Sequence, residues 1–232
     1  KSYGELSGAE LLKPMIEKVF PGRIALVSSF GAESAVLAHM VAEIDPATPI
    51  VFVDTGRLFP ETLAYRDHLV ARLGLSNVNI VSPSRRVEER LDPDRALYAT
   101  DPDGCCGFRK IEPMERGLRG YQAWITGRKR FHGGDRSRLP ALEPADWRLK
   151  VNPLASWTPE DIAAYFDAHD LPRHPLTGAG YLSIGCSPCT TPVADGEAPR
   201  AGRWRGREKT ECGIHWTVNG RPLRALSGAQ AG

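Results

Sequence analysis

The segment RIALVSSFGAES, residues 23–34, joins an apolar run to a turn of small residues and leads into the stretch AVLAHMVAEI, residues 35–44. The run RIALVS has the length and composition of a buried strand, and AVLAHMVAEI has helical periodicity. A strand, a tight turn and a helix in this order form the repeating unit of α/β proteins. The segment therefore predicts the first unit of a parallel sheet.

The same alternation of strand and helix continues along the chain. Further strands are predicted at residues 49–54, 77–83, 121–127 and 147–154, and helices at 61–74, 109–118 and 158–171. The pattern predicts an α/β fold with a mostly parallel twisted sheet and helices on both faces, within one domain at residues 1–195. After about residue 171 the sequence is rich in proline and glycine and loses its periodicity. We expect an irregular C-terminal lobe there, followed by a mobile, arginine-rich tail at residues 196–232.

Composition excludes several classes of protein. The 232 residues carry a formal net charge of +2, which is too small to indicate nucleic-acid binding by itself. No apolar run is long enough to predict a membrane span. The chain has five cysteines, an odd number, which is not typical of a disulfide scaffold.

Three turns rich in small residues follow predicted strands, and ligands of open parallel sheets bind at the carboxyl ends of strands. These turns are SSFGAES at residues 28–34, DTGRLF at 54–59 and TGRKRF at 126–131. Backbone amides and hydroxyls in such turns can bind phosphate, and two of the three turns carry arginine. We therefore expect an anionic ligand. None of the turns matches the GxxxxGK[ST] or GxGxxG motif, so a P-loop kinase or a dinucleotide dehydrogenase is disfavoured.

Four of the cysteines form two pairs, Cys105-Cys106 and Cys186-xx-Cys189. Four thiolates can hold a zinc ion or a [4Fe–4S] cluster. The third interpretation is that the four cysteines are unrelated reduced thiols. Adjacent cysteines are uncommon in structural zinc sites. The neighbouring Arg109 and Lys110 would stabilise an anionic cluster.

The fifth cysteine, Cys212, follows a basic stretch at residues 200–209. Cationic neighbours favour the reactive thiolate form of a cysteine, so Cys212 is a candidate nucleophile on the tail. His215 lies close by in sequence and could assist it. The alternative is an inert cysteine in a solvated basic tail.

Together, the motifs SSFGAES, DTGRLFPET, CCGFRKIEP, TGRKRF, GCSPCT, RAGRW and KTECGIH resemble the iron–sulfur class of the adenosine 5′-phosphosulfate (APS)/3′-phospho-APS (PAPS) reductase family. The resemblance covers nearly the whole chain, and CC…CxxC with a late ECGxH is its specific part. The turns alone indicate only the broader adenine nucleotide alpha hydrolase-like fold. ATP pyrophosphatases of that fold usually carry SGGxDS, whereas this chain has Phe30 and Gly31 in the middle and Glu33 in place of the aspartate.

The resemblance implies that residues 1–195 form a nucleotide-binding and cluster-binding domain and that the tail at residues 196–232 carries the catalytic cysteine. It also implies roles for individual residues. Lys110 would link the cluster to the substrate electrostatically, Cys212 would be the nucleophile, and His215 is included as a catalytic candidate. The expected cluster ligands are Cys105, Cys106, Cys186 and Cys189. The expected substrate-binding residues are Ser28, Ser29, Gly31, Glu33, Asp54, Thr55, Gly56, Arg57, Thr126, Gly127, Arg128, Arg136, Arg200 and Arg203. Many relatives carry a glutamine-containing stretch where this chain has residues 131–135. The family pattern therefore supports the role of Arg128 more strongly than that of Arg136.

The implied function is assimilatory, thioredoxin-dependent reduction of APS to sulfite and AMP through a cysteine S-sulfonate on Cys212. A cluster and a working thiolate both need reducing surroundings, so we expect a cytoplasmic protein without nucleic-acid or membrane partners. A homo-oligomer is left open. The alternatives are a PAPS or dual APS/PAPS reductase and, more distantly, a zinc-binding nucleic-acid module or a tRNA-sulfurating ATP pyrophosphatase.

Overall fold

The computed structural model describes residues 2–145, 147–213, 217–218 and 221–222, with the backbone alone at residue 135 and at the last four. Its strands are β1 (Ile24–Ser28), β2 (Ile50–Val53), β3 (Val78–Val81), β4 (Ala123–Ile125), β5 (Leu142–Ala145), β6 (Arg148–Val151), β7 (Thr217–Val218) and β8 (Arg221–Pro222). Its helices are α1 (Gly8–Pro14), α2 (Ser34–Ile44), α3 (Pro60–Leu73), α4 (Arg85–Leu91), α5 (Leu97–Thr100), α6 (Pro102–Cys106), α7 (Glu112–Gly117) and α8 (Pro159–Ala168). Among the described residues, no helix has the length and apolar character needed to cross a membrane.

Helix boundaries follow local sequence signals. Helix α3 ends at Gly74, whose φ of 64° places it in the left-handed region that glycine adopts without strain. Helix α8 begins after Thr158, whose hydroxyl accepts a hydrogen bond from the Asp161 amide, while the Asp161 carboxylate accepts one from the Thr158 amide. Pro159 occupies the first helical position, where its missing N–H costs nothing.

Six strands form one sheet in the order β3-β2-β1-β4-β6-β5, and only β5 runs antiparallel to its neighbour. The chain moves outward from β1 to β2 and β3, and it then returns to place β4 on the other side of β1. The sheet therefore has a topological switch point between β1 and β4. In open α/β sheets this is where the turns diverge and leave a crevice for a ligand.

The sheet is covered on both faces, as the apolar strands predict. Alternate residues of β1 and β2 point to opposite faces. Leu26 and Phe52 belong to the larger core, which packs against helices α1, α2, α3 and α8. Ala25 and Val51 belong to a smaller core on the other face, with Met114 of α7. The mostly parallel α/β fold expected from the sequence is confirmed.

Two expectations about local structure need correction. The helix predicted at residues 109–118 begins earlier, because helix α6, a π-helical turn (Gly107–Ile111) and helix α7 follow one another without a break from Pro102. Strand β5 is an addition to the predicted strands; it contains Pro144, which lacks an amide hydrogen, and it lies at the sheet edge, where such a residue is tolerated. Beyond α8, residues 172–213 form only short 3₁₀ turns, bends and isolated bridges, in agreement with the irregular lobe.

Candidate functional site

A cleft lies at the switch point of the sheet, beyond the carboxyl ends of β1, β2 and β4. It encloses about 1270 Å³, including open solvent at its mouth. The structure brings thirteen of the residues predicted from the sequence to its walls. They are Ser28, Ser29, Gly31, Glu33, Thr55, Lys110, Thr126, Gly127, Arg128, Arg136, Arg200, Arg203 and Cys212.

Three of the residues predicted to bind substrate do not line this cleft: Asp54, Gly56 and Arg57. The Asp54 carboxylate accepts a hydrogen bond from the Gly56 amide and thereby shapes the turn after β2. The Arg57 guanidinium donates to the Arg95 carbonyl and lies 3.5 Å from the Asp92 carboxylate. Arg57 borders a second cavity that contains the cysteines. His215 lies outside the described residues.

The turn after β1 exposes polar backbone to the cleft because its aromatic residue points inward. Phe30 has a φ of 46°, is fully buried, and packs edge-on against Phe52 with ring centroids 5.5 Å apart. The Ser28 hydroxyl accepts a hydrogen bond from the Phe30 amide at 3.2 Å, and this bond stabilises the turn. A Cβ atom at Gly31 would lie 3.4 Å from the Ile184 carbonyl oxygen, in ordinary van der Waals contact, so the turn packs directly against the segment that contains Ile184.

Glu33 and the loop after β4 form a buried ionic cluster. Lys129 Nζ lies 2.7 Å from Glu33 Oε2 and 3.0 Å from the Gly127 carbonyl oxygen. His132 Nε2 lies 3.3 Å from the same carboxylate oxygen. Burial by itself would raise the pKa of Glu33, but the hydrogen bond from His132 and the charge of Lys129 outweigh burial and lower the pKa to about 2. Glu33 is therefore an anchor for this loop as well as part of the cleft wall.

We expect Glu33→Gln to lower the free energy of unfolding by about 3 kcal/mol near pH 7, because Lys129 would remain buried without its counter-charge. The contribution of Glu33 is fully present above its ordinary pKa of 4.5 and is lost as the pH falls towards 2. Urea unfolding at several pH values would measure it, and the difference from wild type should shrink in acid. The control is Glu43→Gln, on the exposed face of α2, with an expected change below about 0.5 kcal/mol. A loss below about 1 kcal/mol for Glu33→Gln would contradict this account.

Two arginines from different segments meet at the cleft around the carboxylate of Glu211. Arg136 pairs in bidentate geometry with Glu211, with Nε–Oε1 at 2.5 Å and Nη2–Oε2 at 2.8 Å. Arg200 approaches the same carboxylate at 3.4 Å. Burial and the neighbouring charge of Arg136 lower the pKa of Arg200 to about 10. This concentration of positive charge suits a ligand with more than one anionic group.

The remaining two arginines are held by different contacts. Arg128 pairs with Glu143 and also donates to the Asn152 side-chain oxygen at 3.3 Å. Arg203 lies against the Trp204 ring, 4.5 Å from its centroid, with its guanidinium against the backbone of Gly185. A methyl group on Gly185 would collide with that guanidinium, so glycine makes room for Arg203.

The four paired cysteines border one cavity beside the cleft. Cys105 and Cys106 end helix α6, and Cys186 and Cys189 flank a 3₁₀ turn of the irregular lobe. The Thr55 hydroxyl lies 3.2 Å from Cys186 Sγ. Within the described part of the chain, no three or more His, Cys, Asp or Glu side chains converge as they would on a single metal ion. The thiols surround a space and do not meet at a point.

Burial and charge set the protonation of these thiols. Burial raises the pKa of Cys105 to about 11 and that of Cys106 to about 12. Burial acts on Cys186 in the same direction, but the charge of Lys110 and the hydrogen bond from Thr55 outweigh it and lower the pKa of Cys186. Of these three thiols, only Cys186 is shifted towards its thiolate form.

Lys110 lies between the cavity and the cleft and borders both. Burial by itself would lower the pKa of Lys110. The electrostatic attraction of the sulfur atoms of Cys186, Cys212 and Cys106 outweighs burial and raises this pKa. Lys110 is therefore charged, and its charge acts on both spaces. Cys212 lines the cleft with this lysine and the arginines, and it is partly exposed.

Arg109, next to Lys110, supports the cysteine helix from within. Its guanidinium is 1% exposed and donates to the Thr55 carbonyl at 2.9 Å, to Glu88 at 2.7 Å and to Asp92 at 2.7 Å. Arg109 thus ties the helix that carries Cys105 and Cys106 to the turn after β2. The cysteine pair is fixed relative to the cleft.

Sequence reasoning missed three titratable residues of the cleft: Lys129, His132 and Glu211. Lys129 lies inside the motif TGRKRF and His132 directly follows it, and their basic side chains were the available signal. Glu211 directly precedes the candidate nucleophile, yet its ion pair with Arg136 spans 75 positions and leaves no local pattern.

The sheet, the switch-point cleft and the arginines define a class: an open α/β protein with an anion-binding site at the carboxyl ends of its parallel strands. The family model described as the phosphoadenosine phosphosulfate reductase domain matches residues 23–192. The chain belongs to this family.

Individual relatives agree with this membership. The chain is 51% identical over 213 residues to a protein of Mesorhizobium japonicum named adenosine 5′-phosphosulfate reductase, covering 92% of this chain and 84% of the relative. It is 42% identical over 203 residues to a Gloeobacter violaceus protein named phosphoadenosine 5′-phosphosulfate reductase, covering 85% and 84%. The crystal structure of phosphoadenylyl-sulfate reductase from Candida auris superposes with a TM-score of 0.70 at 26% identity, covering 82% of this chain and 93% of that one.

Proposed function

We propose that this chain is an APS reductase that forms sulfite and AMP by way of an S-sulfonate on Cys212. The observation that carries the proposal is that Cys212 borders the same cleft as the backbone turns after β1 and β4 and as Arg136, Arg200 and Arg203. A thiol, a nucleotide-sized cleft and several cations are what transfer of a sulfonate group from a nucleotide needs. Relatives at 51% and 50% identity are named adenosine 5′-phosphosulfate reductase, which supports the same reaction.

The chemistry proceeds in two exchanges. In the first, the Cys212 thiolate attacks the sulfate sulfur of APS, an S–S bond forms, and the bond from sulfur to the bridging oxygen breaks with release of AMP. The arginines neutralise the charge that develops on the departing phosphate. In the second, an external thiol attacks Cys212 Sγ and releases sulfite. A second thiol then resolves the mixed disulfide, so that the dithiol supplies both electrons.

The dithiol must come from another molecule. Cys186 and Cys189 form the CxxC pair of this sequence, and both border the cysteine cavity. We assign the role of reductant to thioredoxin or a similar dithiol protein. Because the exchanged species are free thiols, we place the reaction in the reducing cytoplasm.

We assign Cys105, Cys106, Cys186 and Cys189 as the ligands of one [4Fe–4S] cluster. The residues fit this group, since four thiols surround one cavity and such a cluster takes one thiolate for each iron. The buried cation Lys110 beside the thiols offsets part of the charge of an anionic cluster. When bound, the cluster supplies a fixed charge and a rigid support next to Lys110. Lys110 in turn presents its ammonium group to the cleft.

Replacing Gly185 by alanine should weaken binding of APS by about 10- to 100-fold, because the added methyl group displaces the Arg203 guanidinium from the cleft. The loss corresponds to one charge-assisted hydrogen bond. The apparent KM for APS would measure it, with the melting temperature as a check on folding. Gly178→Ala is the matched control, since nothing lies within 4 Å of its added methyl group. Equal KM values for the two variants would remove Arg203 from the binding site.

The test of the proposed function is sulfite production from APS by anaerobically purified protein, with and without thioredoxin. We expect sulfite and AMP in equal amounts, and turnover only with the dithiol. Iron and acid-labile sulfide should each approach about four per chain. Failure to form sulfite with any dithiol would overturn the activity. Zinc without iron would overturn the cluster assignment and favour the zinc-module alternative.

A second candidate substrate is PAPS, because one relative at 42% identity is named phosphoadenosine 5′-phosphosulfate reductase. The two nucleotides differ by the 3′-phosphate. Measuring kcat/KM with each nucleotide separates an APS-specific enzyme from a dual one. We expect APS to be preferred, and a higher value with PAPS would reverse the assignment.

A further inference from the structure

His132 connects two walls of the cleft through both of its ring nitrogens. Nε2 lies 3.3 Å from Glu33 Oε2, and Nδ1 lies 3.2 Å from Arg136 Nη1. The side chain is 12% exposed, and its ring packs edge-on against Phe131. The proposed reaction gives this residue no role.

The two partners assign the tautomer of His132. A guanidinium can only donate, so Nδ1 must accept from Arg136 and carry no proton. The carboxylate of Glu33 can only accept while ionised, so Nε2 carries the proton and donates it. The geometry therefore requires the neutral imidazole with its proton on Nε2.

Arg136 in turn connects His132 to the segment that carries the nucleophile. Its Nη1 donates to His132, while Nε and Nη2 donate to Glu211. Glu211 directly precedes Cys212 in the sequence. Each polar edge of Arg136 is thus used, and the chain of contacts runs from Glu33 through His132 and Arg136 to the residue before Cys212.

We propose that His132 is a positioning residue that, as a neutral imidazole, holds Arg136 against Glu211 and keeps the Cys212 segment docked at the cleft, and that protonation of His132 releases this segment. Protonation would place a hydrogen on Nδ1 opposite the Arg136 donor. It would also add a positive charge beside Lys129 and Arg136. The docked segment would then lose one of the contacts that fix its arginine anchor.

The surroundings determine the pH range of this release. Glu33, Lys129 and Arg136 are the charged groups that face the ring. Burial lowers the pKa of His132, and the charges of Lys129 and Arg136 lower it further against the opposing effect of Glu33. A lowered pKa in the docked state means that docking is at full strength above about pH 6.5 and weakens as the pH falls below it. Glu33 stays ionised throughout this range, since its pKa is about 2.

The test measures exposure of Cys212 without any substrate. The rate of Cys212 alkylation by iodoacetamide would be followed by mass spectrometry in anaerobically purified wild type, His132→Gln and His132→Leu. Glutamine can donate to Glu33 and accept from Arg136 but does not titrate, whereas leucine can do neither. Rates are compared at the same pH, so that the proteins in each comparison differ only at position 132.

Near pH 7.5 we expect equal rates for wild type and His132→Gln and a rate about 10-fold higher for His132→Leu. Near pH 5 the wild type should approach His132→Leu, while His132→Gln stays slow. A constant ratio of wild type to His132→Gln across this range would overturn the release. Equal rates for all three proteins near pH 7.5 would overturn the positioning role.

The consequence for turnover rests on the proposed function and is measured separately. The ratio of kcat/KM for sulfite formation between His132→Gln and wild type should rise several-fold when the pH is lowered from 7.5 to 5. Because alkylation needs no nucleotide, the docking test keeps its meaning even if no sulfite is formed from APS.

Discussion

Cys212→Ser should reduce sulfite release from APS by more than about 10⁴-fold while leaving the affinity for APS within about twofold of wild type. A loss of this size is typical when the nucleophile of a covalent mechanism is removed. The serine hydroxyl does not form an S-sulfonate that a dithiol can attack. The arginines and the backbone turns that face the nucleotide are unchanged by the substitution.

The measurements are sulfite formation with thioredoxin and binding of APS by calorimetry. In wild type, mass spectrometry of protein mixed with APS alone should show an added SO₃ group on Cys212, and the serine variant should lack it. Thr210→Ala is the control on the same segment, since this side chain is exposed and should leave the rate unchanged. Sulfite release by the serine variant at the wild-type rate would eliminate Cys212 as the nucleophile.

Cys186→Ala should lower the iron content from about four per chain to below one. It should also abolish the activity and the brown colour that an iron–sulfur cluster gives to a protein. Cys186 is nearly fully buried, and it has the Thr55 hydroxyl and Lys110 beside its sulfur. Removal of this thiolate leaves three ligands and an uncompensated lysine at the cavity wall. We expect kcat/KM to fall by more than about 100-fold, since even changes around metal ligands cost 10- to 100-fold.

Iron analysis and absorbance near 400 nm would measure the effect. Cys212→Ser is the matched control, because it removes a thiol from the cleft and not from the cavity. The two variants should differ in their iron content: Cys212→Ser retains iron and loses catalysis, whereas Cys186→Ala loses both. Full iron content in Cys186→Ala would show that the four cysteines do not hold the cluster.

The fold could be predicted from the sequence because its signals are local. The apolar runs before Ser28 and after Pro49 have the period and length of buried strands, and β1 and β2 form where they lie. The edge strand β5 could not be predicted, because Pro144 disfavours a strand and only pairing with β6 establishes one. The π-helical turn after Cys106 likewise depends on the packing of Arg109 and Lys110, which local propensity does not describe.

The site was predictable to the extent that its residues lie at strand ends. The turns after β1 and β4 meet because parallel strands align their carboxyl ends. Arg57 contacts Asp92, 35 positions away, and Arg136 contacts Glu211, 75 positions away. Nothing in the local sequence distinguishes the surroundings of the two arginines. Which arginine faces the cleft and which faces the cysteine cavity is decided by tertiary packing alone.

The short segment Ile184–Gly185–Cys186 forms part of two walls at once. Ile184 and Gly185 border the cleft, Cys186 borders the cysteine cavity, and a bridge from Cys186 to Leu58 attaches the segment to the turn after β2. A centre held by Cys186 and a nucleotide held beside Gly185 would therefore order the same few residues. By thermodynamic linkage, each occupant should bind more tightly when the other is present, and by the same factor. The two sites would then behave as a cooperative pair.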